Sequence, residues 1–146
     1  AGGGVINGEA SLALRRLADT FGIPVATTLM GLGAFDTTRP LSLHMLGMHG
    51  TAFANYAVED CDFLIAVAAR FDDRVAGDPP RFAPNARNIA HLDVDVSEIG
   101  KVKSVHVGVG GPSRWCDLNE EPAEPGLDWD LWLGCRCGCT RFYSPR

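Results

Sequence analysis

Phe63-Leu-Ile-Ala-Val67 is a continuous apolar run, and Arg70-Phe-Asp-Asp-Arg-Val75 follows it three residues later. An uninterrupted run of this length, rich in large apolar residues, is the pattern of a strand buried on both faces, as in a parallel sheet covered by helices. Two carboxylates and two guanidinium groups then fall within five residues, Arg70, Asp72, Asp73 and Arg74. In an open α/β sheet, ligands bind beyond the carboxyl ends of the strands, so these charges stand where a ligand would. Four charges are costly to desolvate unless they pair or meet a polar ligand. The competing reading is a surface turn with two local ion pairs.

Outward from this segment the chain alternates strand and helix. Gly2-Gly-Gly4 is read as a loop opening one helix of about four turns, with Leu14, Leu17, Ala18 and Phe21 at helical spacing. Ile23 to Thr28 reads as a short strand with Pro24 at its start, and Leu29 to Ser42 as a loop punctuated by Gly and Pro. Thr51 to Val58 is a second helix, Ala69 to Pro84 a long loop, Asn88 to Asp95 a strand, Ser97 to Gly100 a single turn, and Ser104 to Val107 another strand. Strand and helix alternating at this spacing imply a Rossmann-like α/β fold, a parallel sheet covered by helices. Strands are expected near Val25, Leu64, His91 and His106, and periodicity weakens from Gly108 onward.

Composition narrows the function. The 146 residues fit one domain, and 46% hydrophobic with 21% charged residues is the balance of a globular protein. A net charge of -5 without a basic run argues against nucleic acid as a partner. No apolar stretch reaches the roughly 18 residues that would span a bilayer, and the start shows no signal peptide. Beginning at Ala1 without an initiator methionine, the chain is expected to be a fragment. The five cysteines, Cys61, Cys116, Cys135, Cys137 and Cys139, are odd in number and do not form a disulfide framework, which suggests a reducing, cytoplasmic compartment.

Several residues suit a ligand, each with a plainer alternative. Gly2, Gly3 and Gly4 allow close approach of an anion to a helix start, although a structural glycine turn is the better reading. Asp93 and Asp95 end a strand, where an acid can accept hydrogen bonds from a sugar hydroxyl or cap the next turn. His44 and His49 are spaced i, i+5, which does not place them on one helical face, and no metal is assigned to them or to the Cys135-Arg-Cys-Gly-Cys139 segment.

Taken in order, Gly2-Gly-Gly4, Thr27-Thr-Leu-Met-Gly-Leu-Gly33, Leu43-His-Met-Leu-Gly-Met-His-Gly-Thr51, Ala54-Asn-Tyr-Ala-Val58, Arg70-Phe-Asp-Asp-Arg-Val75 and His91-Leu-Asp-Val-Asp95 resemble the central domain of the acetohydroxyacid synthase (acetolactate synthase) large subunits. The resemblance covers roughly residues 1–107, leaving 108–146 as a divergent tail. It implies an enzyme that condenses two 2-ketoacids, pyruvate with pyruvate or with 2-ketobutyrate, with loss of carbon dioxide in branched-chain amino-acid synthesis. It implies thiamine diphosphate and Mg2+ on other domains, and on this one an FAD that does no net redox work. The partners implied are the 2-ketoacids, a homodimer or homotetramer, and a regulatory small subunit.

By the same resemblance the FAD-facing residues are Gly2, Gly3, Gly4, Thr28, Leu29, Met30, Leu46, Gly47, Met48, His49, Arg70, Asp72, Arg74, Val75, Asp93 and Asp95. Met48, Asp73 and Arg74 match the mouth of the substrate channel, where herbicides of this enzyme class bind. Asp72 and Asp73 are expected to hold the two arginines in place. No catalytic residue is expected, because the activating glutamate lies on the preceding domain.

Two departures stand out. Val107-Gly-Val-Gly-Gly-Pro-Ser113 replaces the family's Gly-Asp-Val, and the tail after Trp132 matches nothing; a reading-frame error in the source sequence would produce both. The family's central strand leads into the glycines, so that strand is truncated here and the sheet is expected to be marginal. Glyoxylate carboligase, pyruvate oxidase, a stand-alone flavin- or nucleotide-binding module and a Cys-rich zinc protein remain the alternatives.

Overall fold

A computed structural model describes residues 1–110. The expectations for the tail, including loose packing of Trp129 and Trp132 and the thiols from Cys116 onward, lie outside the described residues. Five strands are present among them: β1 (Val25–Thr27), β2 (Ser42–Met45), β3 (Phe63–Val67), β4 (Asn88–Asp93) and β5 (Val107–Gly110). Every pairing is parallel, β1 with β2 and β3 with β4 with β5. Helices α1 (Gly3–Asn7), α2 (Ser11–Phe21), α3 (Ala52–Asp60) and α4 (Asp73–Ala76) fill the connections. The α/β parallel architecture expected from the apolar runs is the one observed, and no helix among the described residues is long and apolar enough to cross a membrane.

The two sheets are not hydrogen-bonded to each other through any full strand. Among the described residues, Ala1 and Gly2 bond to both of them. The Ala1 nitrogen donates to the Ala26 carbonyl at 2.8 Å, and Thr28 N–H donates to the Ala1 carbonyl at 2.9 Å. These two bonds flank Thr27 in the pattern of a parallel ladder. Gly2 N–H turns to the other side and donates to the Val67 carbonyl at 2.9 Å. Consecutive residues bonding to opposite neighbours is how a central strand behaves. Behind them, between β1 and β3, lies a cavity of about 390 Å³ lined by Leu14, Ala18, Val25, Leu64, Ala66 and Val67, among others. Most of β3 is only half-buried, although its sequence is that of a fully buried strand, because one flank is open. An apolar slot thus lies along the open flank of β3.

The core divides on either side of that slot. Val5, Leu14, Ala18, Val25, Ala34 and Phe35 form one cluster, and Ala66, Phe71, Ala76 and Ile89 the other.

Four local expectations are corrected. The single four-turn helix is two, broken at Gly8-Glu9, where Glu9 takes φ 53° and Ala10 N–H bonds back to Val5 at 2.8 Å. Leu14 and Ala18 are buried as their spacing requires, but Phe21 is 70% exposed at the C-terminal end of α2. The segment around Leu43 is a strand rather than a loop. It escapes the period-2 signal because the register slips between Val25 and Ala26, skipping Leu43, and His44 takes φ 60°. The last strand begins at Val107, after His106, whose N–H donates to the Ile89 carbonyl at 2.9 Å while its ring accepts Ile89 N–H at 3.1 Å.

Burial of the Ala1 ammonium pushes its pKa down from 8.0 to about 6. Between those values the unfolded chain binds more protons than the folded one, so stability rises with pH through this window and is flat on either side of it. The expected gain from pH 6 to 8 is up to about 3 kcal/mol. Urea midpoints across this range, compared with those of the N-terminally acetylated chain, check it. Equal pH dependence in both chains would show that the ammonium contributes nothing.

Candidate functional site

Because all five strands are parallel, the segments following them emerge on one edge. Specific contacts join these segments. Gly31 packs against Ala1, and a Cβ on Gly3 would lie 3.0 Å from Met30 Cβ, which places the glycines beside the Thr28–Met30 turn. A Cβ on Gly2 would lie 2.6 Å from Ala69 Cα, and one on Gly4 2.6 Å from Ala68 Cβ, which places them on the turn that leads into Arg70. Leu46 N–H donates to the Thr27 carbonyl at 3.0 Å, bringing the loop after β2 beside the end of β1. Met48 N–H donates to the Arg74 carbonyl at 3.0 Å. The register pairs Val67 with Leu92, so Asp93 ends on the same edge as the glycines.

The side chains differ in what they are free to do. Thr28 accepts Gly31 N–H at 3.2 Å and caps the 3-10 turn Leu29–Gly31. That turn leaves Leu29 67% and Met30 75% exposed, and Met48 on the neighbouring loop is 68% exposed. Three large apolar side chains open to solvent on one edge suit the face of a planar ligand better than a core. Leu46 and Val75 are half-buried, Gly47 is buried and His49 is exposed.

Asp72 does not hold an arginine. Its carboxylate accepts Val75 N–H at 3.1 Å and caps α4. Asp73, in the first turn of α4, pairs with neither arginine. Among the described residues no carboxylate lies within ion-pair distance of Arg70 or Arg74, so the expected clamp of acids is absent and both cations face solvent. The alternative of two local ion pairs fails on the same observation. Met48, Asp73 and Arg74 do meet: they line one cavity of about 700 Å³ together with Asn55, Val75 and Arg81.

The two strand-end acids act locally. Asp95 accepts the Ser97 hydroxyl at 2.7 Å and its N–H at 2.9 Å, and these bonds hold its carboxyl below the ordinary range. Asp93 accepts Asp95 N–H at 2.9 Å through Oδ1, and its Oδ2 lies 3.9 Å from His91 Nε2.

Sequence reasoning missed three supporting residues. Thr51 accepts Ala54 N–H at 3.3 Å as the cap of α3, and a Thr just before a helical segment is a cap signal. His91 is fully buried, and its Nε2 meets the Ala69 carbonyl at 3.0 Å, steadying the turn beneath Gly2. Asn55 binds both backbone groups of Gly47; an Asn inside a helix is unfavourable by propensity, which flags such a role.

A parallel sheet carrying an exposed apolar and cationic edge is shared by many cofactor-binding folds. The family model described as "Thiamine pyrophosphate enzyme, central domain" matches residues 1–116. The chain belongs to that family. The match to the thiamine pyrophosphate enzyme central domain continues past Val107, where the motif resemblance stops. The chain is 56% identical over 110 residues to an acetolactate synthase large subunit of Parasynechococcus marenigrum, covering 75% of this chain and 18% of that protein. It is 47% identical over 137 residues to a chloroplastic acetolactate synthase of Arabidopsis thaliana, 90% of this chain and 20% of that one. To a probable acetolactate synthase large subunit of Methanocaldococcus jannaschii it is 54% identical over 114 residues, 78% and 19% of the two chains. The chain therefore spans about a fifth of the length of the curated relatives it matches.

Proposed function

We propose that this chain is the central, FAD-holding part of an acetolactate synthase, which joins two 2-ketoacids with loss of carbon dioxide in branched-chain amino-acid synthesis. The observation that carries the reading is the edge itself. Two arginines without carboxylate partners among the described residues, Arg70 and Arg74, stand on the same sheet edge as the exposed Leu29, Met30 and Met48. That donor set fits FAD, which offers a pyrophosphate to permanent cations and a flat ring to adaptable apolar side chains. When bound, the flavin would complete the wall of the site rather than carry electrons through it. Glycines close to the Met30 turn and to the Ala68 turn would leave room for its backbone.

Thiamine diphosphate and Mg2+ would be held by other domains of the whole enzyme, which would supply the carbanion chemistry. This chain's contribution would be to fix the channel mouth, where Arg74, beside Met48 and Asp73, would orient an incoming 2-ketoacid carboxylate by charge-assisted hydrogen bonds. The whole enzyme would be a homodimer or homotetramer, joined by a regulatory small subunit, in the cytoplasm.

The test grafts residues 1–107 in place of the corresponding segment of a full-length acetolactate synthase. Acetolactate formation is expected, and Arg74→Ala in the chimera should lower turnover about ten- to a hundredfold. Its melting temperature should hardly move, since Arg74 is exposed and surface changes usually stay within about 0.5 kcal/mol. A chimera that melts normally but forms no acetolactate would refute the assignment. Unchanged turnover in Arg74→Ala would remove Arg74 from the channel.

A further inference from the structure

Asn55 sits in the first half of α3, and its side chain reaches off the helix to a single residue of the preceding loop. Oδ1 accepts Gly47 N–H at 2.8 Å, and Nδ2 donates to the Gly47 carbonyl at 3.0 Å. One planar amide thus occupies both backbone groups of a buried residue, as a neighbouring strand would. The helix is not distorted by this, because Asn55 N–H still bonds to the Thr51 carbonyl at 3.2 Å.

Gly47 is the point where the loops meet. It takes φ 92°, a left-handed conformation that favours glycine, and a Cβ there would lie 2.5 Å from the Arg74 carbonyl oxygen. The next amide, Met48 N–H, donates to that same oxygen. A continuous path of contacts therefore runs from α3 through Gly47 and Met48 to α4. Asn55, Met48 and Arg74 line the 700 Å³ cavity together.

We propose that Asn55 is a positioning residue: by clamping the Gly47 peptide it locks the Leu46–His49 loop onto the Arg74 carbonyl, so that Met48 and Arg74 present one rigid ligand-facing wall. The inference rests on reading these loops as ligand-facing, and its test separates the two ideas. Without the clamp, the buried Gly47 N–H loses its partner while the Gly47 carbonyl keeps only Gly50 N–H at 2.9 Å, and the loop gains a route to open away from Arg74.

The experiment compares the full chain with Asn55→Ala and Asn55→Asp, reading amide hydrogen exchange, urea midpoint and the apparent Kd for added FAD. In Asn55→Ala the Gly47 and Met48 amides are expected to exchange about a hundredfold faster, with the amides of β3 and β4 unchanged. Asn55→Asp keeps an acceptor for Gly47 N–H and should restore protection at Gly47 at least partway. The Kd for FAD should rise about tenfold in Asn55→Ala. Normal exchange at Gly47 and Met48 in Asn55→Ala, or acceleration at every amide in proportion to a fallen urea midpoint, would overturn the clamp. Equal FAD affinity in the parent and Asn55→Ala would overturn its role in presenting the wall. If the parent binds no FAD, the flavin reading fails, and the exchange data alone decide the clamp.

Discussion

Joining five apolar, β-branched residues to the Ala1 amino group is expected to raise the unfolding free energy of this chain by about 5 kcal/mol. The reason is the open flank on each side of the position taken by Ala1 and Gly2. Ala1 bonds to β1 and Gly2 to β3, so a strand running into Ala1 would continue both parallel ladders. Five residues match the length of β3, Phe63–Val67. Their side chains would enter the 390 Å³ slot, each contributing ~1.5–3 kcal/mol on burial. Ordering the new backbone costs ~1–2 kcal/mol per residue, which offsets much of that gain. The decisive surplus is the hydrogen bonds, ~1 kcal/mol each, made to groups on β1 and β3. Acylation of the nitrogen also removes the cost of discharging or burying an ammonium on folding. Urea unfolding of the extended chain, beside one carrying a Gly-Ser extension of equal length, measures the effect. Equal midpoints for the two extensions would show that the slot does not accept a strand.

Gly2→Ala is expected to destabilise the chain by about 3 kcal/mol or more, at the upper end of overpacking costs. The added methyl would fall 2.6 Å from Ala69 Cα and closer still to the Ala68 carbonyl oxygen. Both are backbone atoms, and neither can rotate away. Ala68 is already at φ 48°, and its N–H is tied to the Leu92 carbonyl at 2.6 Å, so the turn has little room to yield. Relief would require Gly2 to retreat, breaking its bond to Val67 and loosening a backbone link between the two sheets. Gly22→Ala is the control: nothing lies within 4 Å of its Cβ position, and only the left-handed φ of 65° is strained. It should cost about 1 kcal/mol. Chemical denaturation of both variants distinguishes them, and a Gly2→Ala chain as stable as Gly22→Ala would mean that the Ala68 turn is soft. The expected result also bears on the glycines' meaning. Their missing side chains are first required by the chain's own backbone, whatever a cofactor gains from them.

What was legible in the sequence was whatever depends on local pattern. Phe63 to Val67 read as a buried parallel strand because a sheet covered on both faces leaves no alternation, and Asn88 to Asp95 read as a strand that in the structure ends at Asp93; the parallel fold follows from such runs separated by helices. The ordered motifs, from the glycines to Asp95, carried the family, since side-chain identities at fixed spacings survive in the linear chain. Strand β2 was not legible. Its register slips at Leu43 and its backbone turns left-handed at His44, so its pattern is broken where a strand signal would be read, and only pairing with β1 makes it a strand.

Tertiary structure alone decided how charge is arranged at the site. Two cations and two carboxylates within five residues invite ion pairing on paper, yet α4 starts inside that segment. Its first turn takes the Asp72 carboxylate as a cap and leaves Arg70 and Arg74 facing solvent. The clamp of Asn55 on Gly47 spans eight residues and two elements, and no linear spacing announces it. Sequence determines which groups are available through local propensity. Which of them meet is set by packing and hydrogen-bond satisfaction between segments distant along the chain.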